Sequence, residues 1–118
     1  MGLKRVATRL EGAGTAVFGA VALARPGIIA GQWGLDGSDP GTRLMAATLG
    51  ARDLIAGVAI LAAPDRRTRR FALLVRGLFD VGDAVAAYAI LPDPGARRRF
   101  AVLASASGVV SLSLALTG

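Results

Sequence analysis

From Phe100 to Thr117 the chain runs eighteen residues without a charge, directly after Arg97, Arg98 and Arg99. Such a run spans a bilayer core as a single helix, and it reads as a transmembrane segment. Two further apolar segments are long enough to span. Leu44 to Ala63 is stopped by Pro64-Asp65-Arg66-Arg67, and Phe71 to Leu91 by Pro92-Asp93-Pro94-Gly95. Proline lacks the amide a helix needs and disfavours helix in the residue before it, so both stops are sharp.

The first run is less clean. Its uncharged core is Gly12 to Ala24, with Lys4, Arg5, Arg9 and Glu11 in front and Arg25-Pro26-Gly27 behind. A helix over about residues 3–24 is predicted, with its long basic side chains reaching back to the membrane surface. The basic start, the apolar stretch and Ala22-Leu23-Ala24 also imitate a cleaved secretory signal, against which Glu11 stands at the entrance to the apolar region. Between Pro26 and Pro40 lie Ile28, Ile29, Trp33 and Leu35, too short a segment to span. It reads as interfacial, with Trp33 at headgroup depth and Gly34 to Gly41 turning the chain. The predicted fold is therefore all-α: one domain, a bundle of four transmembrane helices over about residues 3–24, 44–63, 71–91 and 100–117, with a short interfacial segment between the first two.

Composition supports this placement. Of 118 residues, 53% are hydrophobic and the mean hydropathy is +0.55, more than a water-facing surface of this size permits. The net charge of +6 raises nucleic acid as a partner, but the basic residues lie in short clusters between apolar runs and no aromatic platform accompanies them. Such clusters mark cytoplasmic membrane loops and contact with anionic lipid headgroups, not nucleic acid. With the amino terminus inside, the cytoplasmic side of the cell membrane holds Lys4, Arg5, Arg9, Arg66, Arg67, Arg69 and Arg70, against Arg25, Arg43, Arg97, Arg98 and Arg99 opposite. Seven against five favours that orientation; Arg97 to Arg99 pull the other way, as dual orientation or an antiparallel dimer would allow. The chain has no cysteine and no histidine, so thiol chemistry, zinc and haem ligation and histidine catalysis are excluded, and neither cofactor nor metal is expected.

Charges interrupt the middle two spans: Arg52 and Asp53, then Arg76, Asp80 and Asp83. Each costs about 2.5–3.5 kcal/mol at a helix centre, against about 0.3–0.6 gained per Leu, Ile, Phe or Val. The ten such apolar residues of the third span do not outweigh its three charges, so Asp80 and Asp83 must be hidden against other helices; Arg76, nearer the end, reaches towards the surface. Counted from the connecting loop, Asp53 lies roughly 15 Å deep and Asp80 roughly 14 Å, at the same level. Arg76, Asp80 and Asp83 share one helix face, and Arg52 is placed to pair with Asp80 or Asp83. Two arginines face three aspartates. The surplus negative charge in a low-dielectric layer calls for a retained proton or a bound cation. The alternative is a satisfied polar clasp that only holds helices together.

Small residues point to packing. Ala46, Gly50, Asp53 and Gly57 line one side of the second span, Gly77 and Gly82 interrupt the third, and Ser107, Gly108 and Ser111 lie on adjoining faces of the fourth. The serines have no base nearby in sequence for nucleophilic work. Glu11 and Thr15, one turn apart, are within range of the polar cluster, though the place of Glu11 reads as the interface. The Asp80-x-x-Asp83 spacing is a poor metal pair beside two arginines.

The segments Ala24-Arg25-Pro26-Gly27, Leu49-Gly50-Ala51-Arg52-Asp53-Leu54 and Gly82-Asp83-Ala84 resemble the motifs of a family of small four-helix integral membrane proteins of unknown function, common in actinobacteria. The resemblance covers the first helix through the third. It implies fold and membrane location, with Arg52, Asp53 and Asp83 as the polar positions of the pattern, and no established activity. An alanine- and arginine-rich chain also suits a GC-rich bacterium.

Two active readings follow. In one, a hydrophobic small molecule enters the bundle, Asp53, Asp80 and Asp83 act as acid and base, and Arg52 and Arg76 orient the ligand or balance charge, as in a membrane isomerase or cyclase. In the other, the cluster couples a proton or cation to transport, as a homo-oligomer because four short helices enclose little volume. A structural or accessory membrane protein is the third.

Overall fold

The structure is a computed structural model that describes residues 2–117. Five helices make up the described chain: α1 (Gly2–Ala24), α2 (Pro26–Gln32), α3 (Pro40–Ala62), α4 (Arg66–Ile90) and α5 (Pro94–Thr117). The four long ones agree with the predicted spans, but α3, α4 and α5 each start several residues earlier. The reason is local. Asp39 and Asp65 cap α3 and α4 by accepting from the amides of Thr42 and Thr68 at 2.9 and 2.7 Å, and Asp93 accepts from Ala96 at 2.8 Å. Proline opens α3 and α5 at the position where its missing amide costs nothing. The charged first turns therefore belong to the helices, whereas hydropathy counts only the part without charge.

The interfacial segment is a helix, α2, bent 115° from α1. It ends at Gly34, whose φ of +80° suits glycine, with Gly34 and Leu35 donating to the carbonyls of Gly31 and Ala30 at 3.0 Å each. Trp33 does not face outward as a lipid anchor would. It is 6% exposed and packs edge-on against Phe100 at 4.9 Å between ring centres, with Phe18 at 6.3 Å on another side. The α2 turn folds the indole back into the bundle, where two aromatic rings replace the lipid interface.

The long helices assemble as two pairs. In the first, α1 packs along α3 through glycines: a Cβ on Gly50 would lie 2.8 Å from the carbonyl oxygen of Gly19, one on Gly57 would lie 2.6 Å from that of Gly12, and one on Gly19 would collide with the backbone of Leu54. In the second, α4 packs along α5, where a Cβ on Gly77 would meet Leu112 at 2.5 Å and one on Gly108 the Asp80 side chain at 3.2 Å. The small residues read as packing positions are so used, with one exception. Gly82 faces open space. The two pairs meet more loosely than the helices within each pair, and polar side chains occupy that seam.

A polar layer is buried while many large apolar side chains face outward. Thr15, Asp53, Arg76, Asp80 and Ser111 are buried, while Leu44, Ile55, Leu78, Val85, Val109 and Leu116 are each at least 63% exposed. Buried charge under a largely apolar exterior is the arrangement lipid selects and water penalises. Even the exposed hydroxyls of Thr48 and Thr117 donate to carbonyls one turn back, at 2.8 and 2.6 Å. Two helices, α3 and α5, are long and apolar enough to cross a membrane, and the bent pair of α1 and α2 qualifies as a third. The protein is thus an all-helical bundle built for a membrane.

Candidate functional site

Apolar clusters close both ends of the seam: Ala22, Ile29, Trp33, Ala46 and Phe100 at the α2 end, and Ile60, Leu73 and Ala115 at the other. Between them lies the charged layer, and Arg76 is its centre. Its Nε donates to Thr15 Oγ1 at 3.1 Å, Nη1 to Asp53 Oδ1 at 3.1 Å and to Asp80 Oδ1 at 3.2 Å, and Nη2 to Ser107 Oγ at 2.9 Å. Every one of the four long helices contributes a partner, counting Arg76 and Asp80 for α4. Arginine suits this place because its planar fork points donors in several fixed directions at once.

Arg76 therefore does not reach for the surface as its position near the end of the span suggested. It is 7% exposed. Helix α4 starts five residues earlier than the predicted span, at Arg66, so Arg76 stands deeper along it, and partners on three other helices hold it inward. Glu11 is likewise not at the interface. Its Oε1 accepts from Ser111 Oγ at 2.8 Å and from Thr15 Oγ1 at 3.5 Å, and lies 3.6 Å from Arg76 Nε.

The five predicted residues do come together, in two groups. Asp53 and Asp80 share Arg76 Nη1, so the two carboxylates placed at one depth by residue counting meet on a single nitrogen. Asp83 takes Arg52 instead: Nη1 donates to Asp83 Oδ1 at 3.1 Å and Nη2 to Oδ2. The guanidinium also lies 4.7 Å from the centre of the Phe79 ring, over its face. Glu11, Thr15, Ser107 and Ser111 complete the layer, and their signal is in the sequence: Glu11/Thr15, Arg76/Asp80 and Ser107/Ser111 are three pairs four residues apart, each forming one polar face on its helix.

Four carboxylates now face two arginines, so the layer carries two negative charges when every group is ionised. Among the described residues no group of acidic side chains is arranged to hold a metal ion. Among the described residues, two buried side-chain polar atoms remain without a partner, Asp80 Oδ2 and Arg52 Nε. A buried polar group left unpaired is costly, and these two are one acceptor and one donor.

Both residues line a cavity of about 270 Å³. Phe18, Trp33, Leu49, Phe100 and Leu103 form its apolar wall, and Arg52, Asp53, Arg76, Asp80, Asp83 and Ser107 its polar side. The layer is therefore more than a closed clasp: one side is packed between helices and the other borders empty space. No known protein family, curated protein or solved structure matches this chain. What the site can do rests on its own geometry.

Proposed function

We propose that this chain is a four-span protein of the cell membrane, amino terminus in the cytoplasm, that takes a hydrophobic small molecule into the cavity beside Asp80 and carries out acid–base chemistry of the isomerase or cyclase type. The observation that carries the reading is one aromatic-walled cavity lined by both Asp80 and Arg52, whose Oδ2 and Nε each lack a protein partner. That cavity is slightly smaller than the about 300–1,000 Å³ usual for ligand pockets, which suits a molecule of one or two rings. The four-span part is supported by the charge-free stretch of α5 from Phe100 to Thr117 and by the burial of Arg76 and Asp80 in α4.

The chemistry assigns each residue a task. Arg52, fixed by Asp83 and the Phe79 ring, offers its Nε–H to a carbonyl oxygen. Asp80, held at Oδ1 by Arg76, takes a proton at Oδ2 from the carbon beside that carbonyl. The C–H electron pair becomes the enolate double bond, the charge moves to the oxygen facing Arg52, and the proton returns to the same or a neighbouring carbon. Asp53 holds Arg76 from the opposite side, and Asp83 positions Arg52.

The test uses 6-propionyl-2-dimethylaminonaphthalene, an apolar two-ring ketone, with the purified protein in detergent micelles. Binding is read as saturable quenching of Trp33, the only tryptophan. Proton transfer is read as deuterium uptake from D₂O beside the ketone. Wild type should show both, and Asp80→Asn should bind but lose the uptake. Quenching that rises without saturation would sink the pocket reading. Saturable binding with uptake indifferent to Asp80→Asn would reduce the site to a binding pocket.

A second reading has its own support. The polar side chains run without a gap from Glu11 through Arg76 to Asp53 and Asp80 between the two helix pairs, the arrangement used to pass protons along a membrane protein. Proton-coupled transport, by an oligomer, predicts a pH-dependent ion flux in liposomes that Asp80→Asn removes.

A further inference from the structure

Charges that play no part in the cavity gather at the other end of the bundle. Lys4, Arg5 and Arg9 of α1 and Arg66, Arg69 and Arg70 of α4 line one crevice of about 380 Å³. Its floor is apolar: Ile60 and Leu73 are each 2% exposed. No carboxylate lines it, and none of the six cations forms an ion pair among the described residues. Asp65, the acid nearest in sequence, lies outside the lining and caps the Thr68 amide. Both α1 and α4 begin here with no acid in their first turn. The positive end of the α1 dipole therefore adds to the side-chain charge, whereas at α4 the Asp65 cap offsets it.

Isolated surface arginines are merely solvated. These differ because they converge on one recess from two helices of different pairs, above an apolar floor, at the level where the apolar spans end. Phosphate oxygens satisfy arginine forks two at a time, and basic recesses at the ends of membrane helices suit phospholipid headgroups. We infer that the crevice is a binding site for the phosphate headgroup of an anionic lipid, whose chain lies along Leu61 and Leu114. A free phosphate anion has the same oxygen chemistry, but it has no use for the apolar floor. A headgroup held there bridges α1 of one pair to α4 of the other, at the end of the seam away from the Arg52–Asp83 pair and the Trp33–Phe100 contact.

Native mass spectrometry of the full chain in detergent, with added phosphatidylglycerol or phosphatidylcholine, tests this. Wild type should retain phosphatidylglycerol preferentially. At roughly fivefold per basic side chain, Arg5→Gln/Arg9→Gln/Arg70→Gln should weaken retention about a hundredfold, and Arg70→Gln alone about fivefold. All three side chains are exposed and form no ion pair, so the helices should be unchanged by circular dichroism. The control Arg25→Gln/Arg43→Gln/Arg98→Gln removes three exposed cations from the opposite end, and retention should stay within about twofold if the site is local. Equal losses in the two triple variants would overturn the site, because diffuse charge would explain them. Inorganic pyrophosphate that displaces the lipid at equal concentration would overturn the lipid assignment in favour of a free phosphate anion. The inference rests on the membrane placement and not on the chemistry at Asp80: probe binding at Trp33 and lipid retention at Arg70 fail separately.

Discussion

Replacing Arg76 by methionine removes the one side chain that ties α4 to α1, α3 and α5 while keeping a similar length. Four hydrogen bonds, to Thr15, Asp53, Asp80 and Ser107, are lost together with the ion pair to Glu11. At the roughly 0.6 kcal/mol typical of an interhelical hydrogen bond in a membrane protein, the four bonds set a floor near 2.4 kcal/mol. Stranding buried carboxylates is worse, about 3–5 kcal/mol when one partner of a buried pair is removed. The larger effect decides, so Arg76→Met should cost about 3–5 kcal/mol, measured as unfolding in mixed micelles by circular dichroism. Arg52→Met should cost less, because that side chain is 27% exposed and pairs with Asp83 alone. Adding Asp80→Asn to Arg76→Met should recover part of the loss by removing one stranded charge. A cost below about 1 kcal/mol, the worth of one ordinary hydrogen bond, would refute the reasoning. So would an Arg52→Met variant as damaged as Arg76→Met.

Two further outcomes separate packing from capping. Gly50→Leu should cost at least about 1–3 kcal/mol by forcing α1 from α3, since even a Cβ there would lie 2.8 Å from the Gly19 carbonyl, whereas Gly82→Ala faces open space and should stabilise α4 by about 0.5–1 kcal/mol; equal effects by the same unfolding assay would show that the glycines are not contact positions. The bonds from Thr68 pull the Asp65 carboxyl below its ordinary value. A depressed folded-state pKa means that the cap is fully present above about 3.9 and lost as pH falls through the lower folded value. The Thr68 amide resonance followed by NMR should therefore move with a midpoint below about 3.9, and a midpoint at or above it would deny the cap.

Much of this was legible in one dimension. Apolar runs, proline stops and basic clusters together located four long helices, and a charge-free run such as Phe100 to Thr117 has few alternatives once it is too long for a soluble core. Residue counting along α3 and α4 also put Asp53 and Asp80 at one depth, and they meet on Arg76. Counting failed where a side chain had a choice of environment. Glu11, Arg76 and Trp33 are amphipathic or near helix ends, so each suits the membrane surface equally well by sequence. The choice was made by partners distant in the chain: Ser111 for Glu11, Ser107 and Asp53 for Arg76, Phe100 for Trp33.

The sequence by itself determined that the chain is helical, that it suits a membrane, and that charges in α3 and α4 must find one another, since helix length and the cost of a charge in hydrocarbon are properties of a single segment. Only the tertiary structure decided which charge met which, that the helices pair as α1 with α3 and α4 with α5, and that the seam holds a cavity at one end and a basic crevice at the other. Those are relations between surfaces. A lipid-facing leucine and a cavity-facing leucine have the same hydropathy, and what distinguishes them is the helix that glycine lets approach.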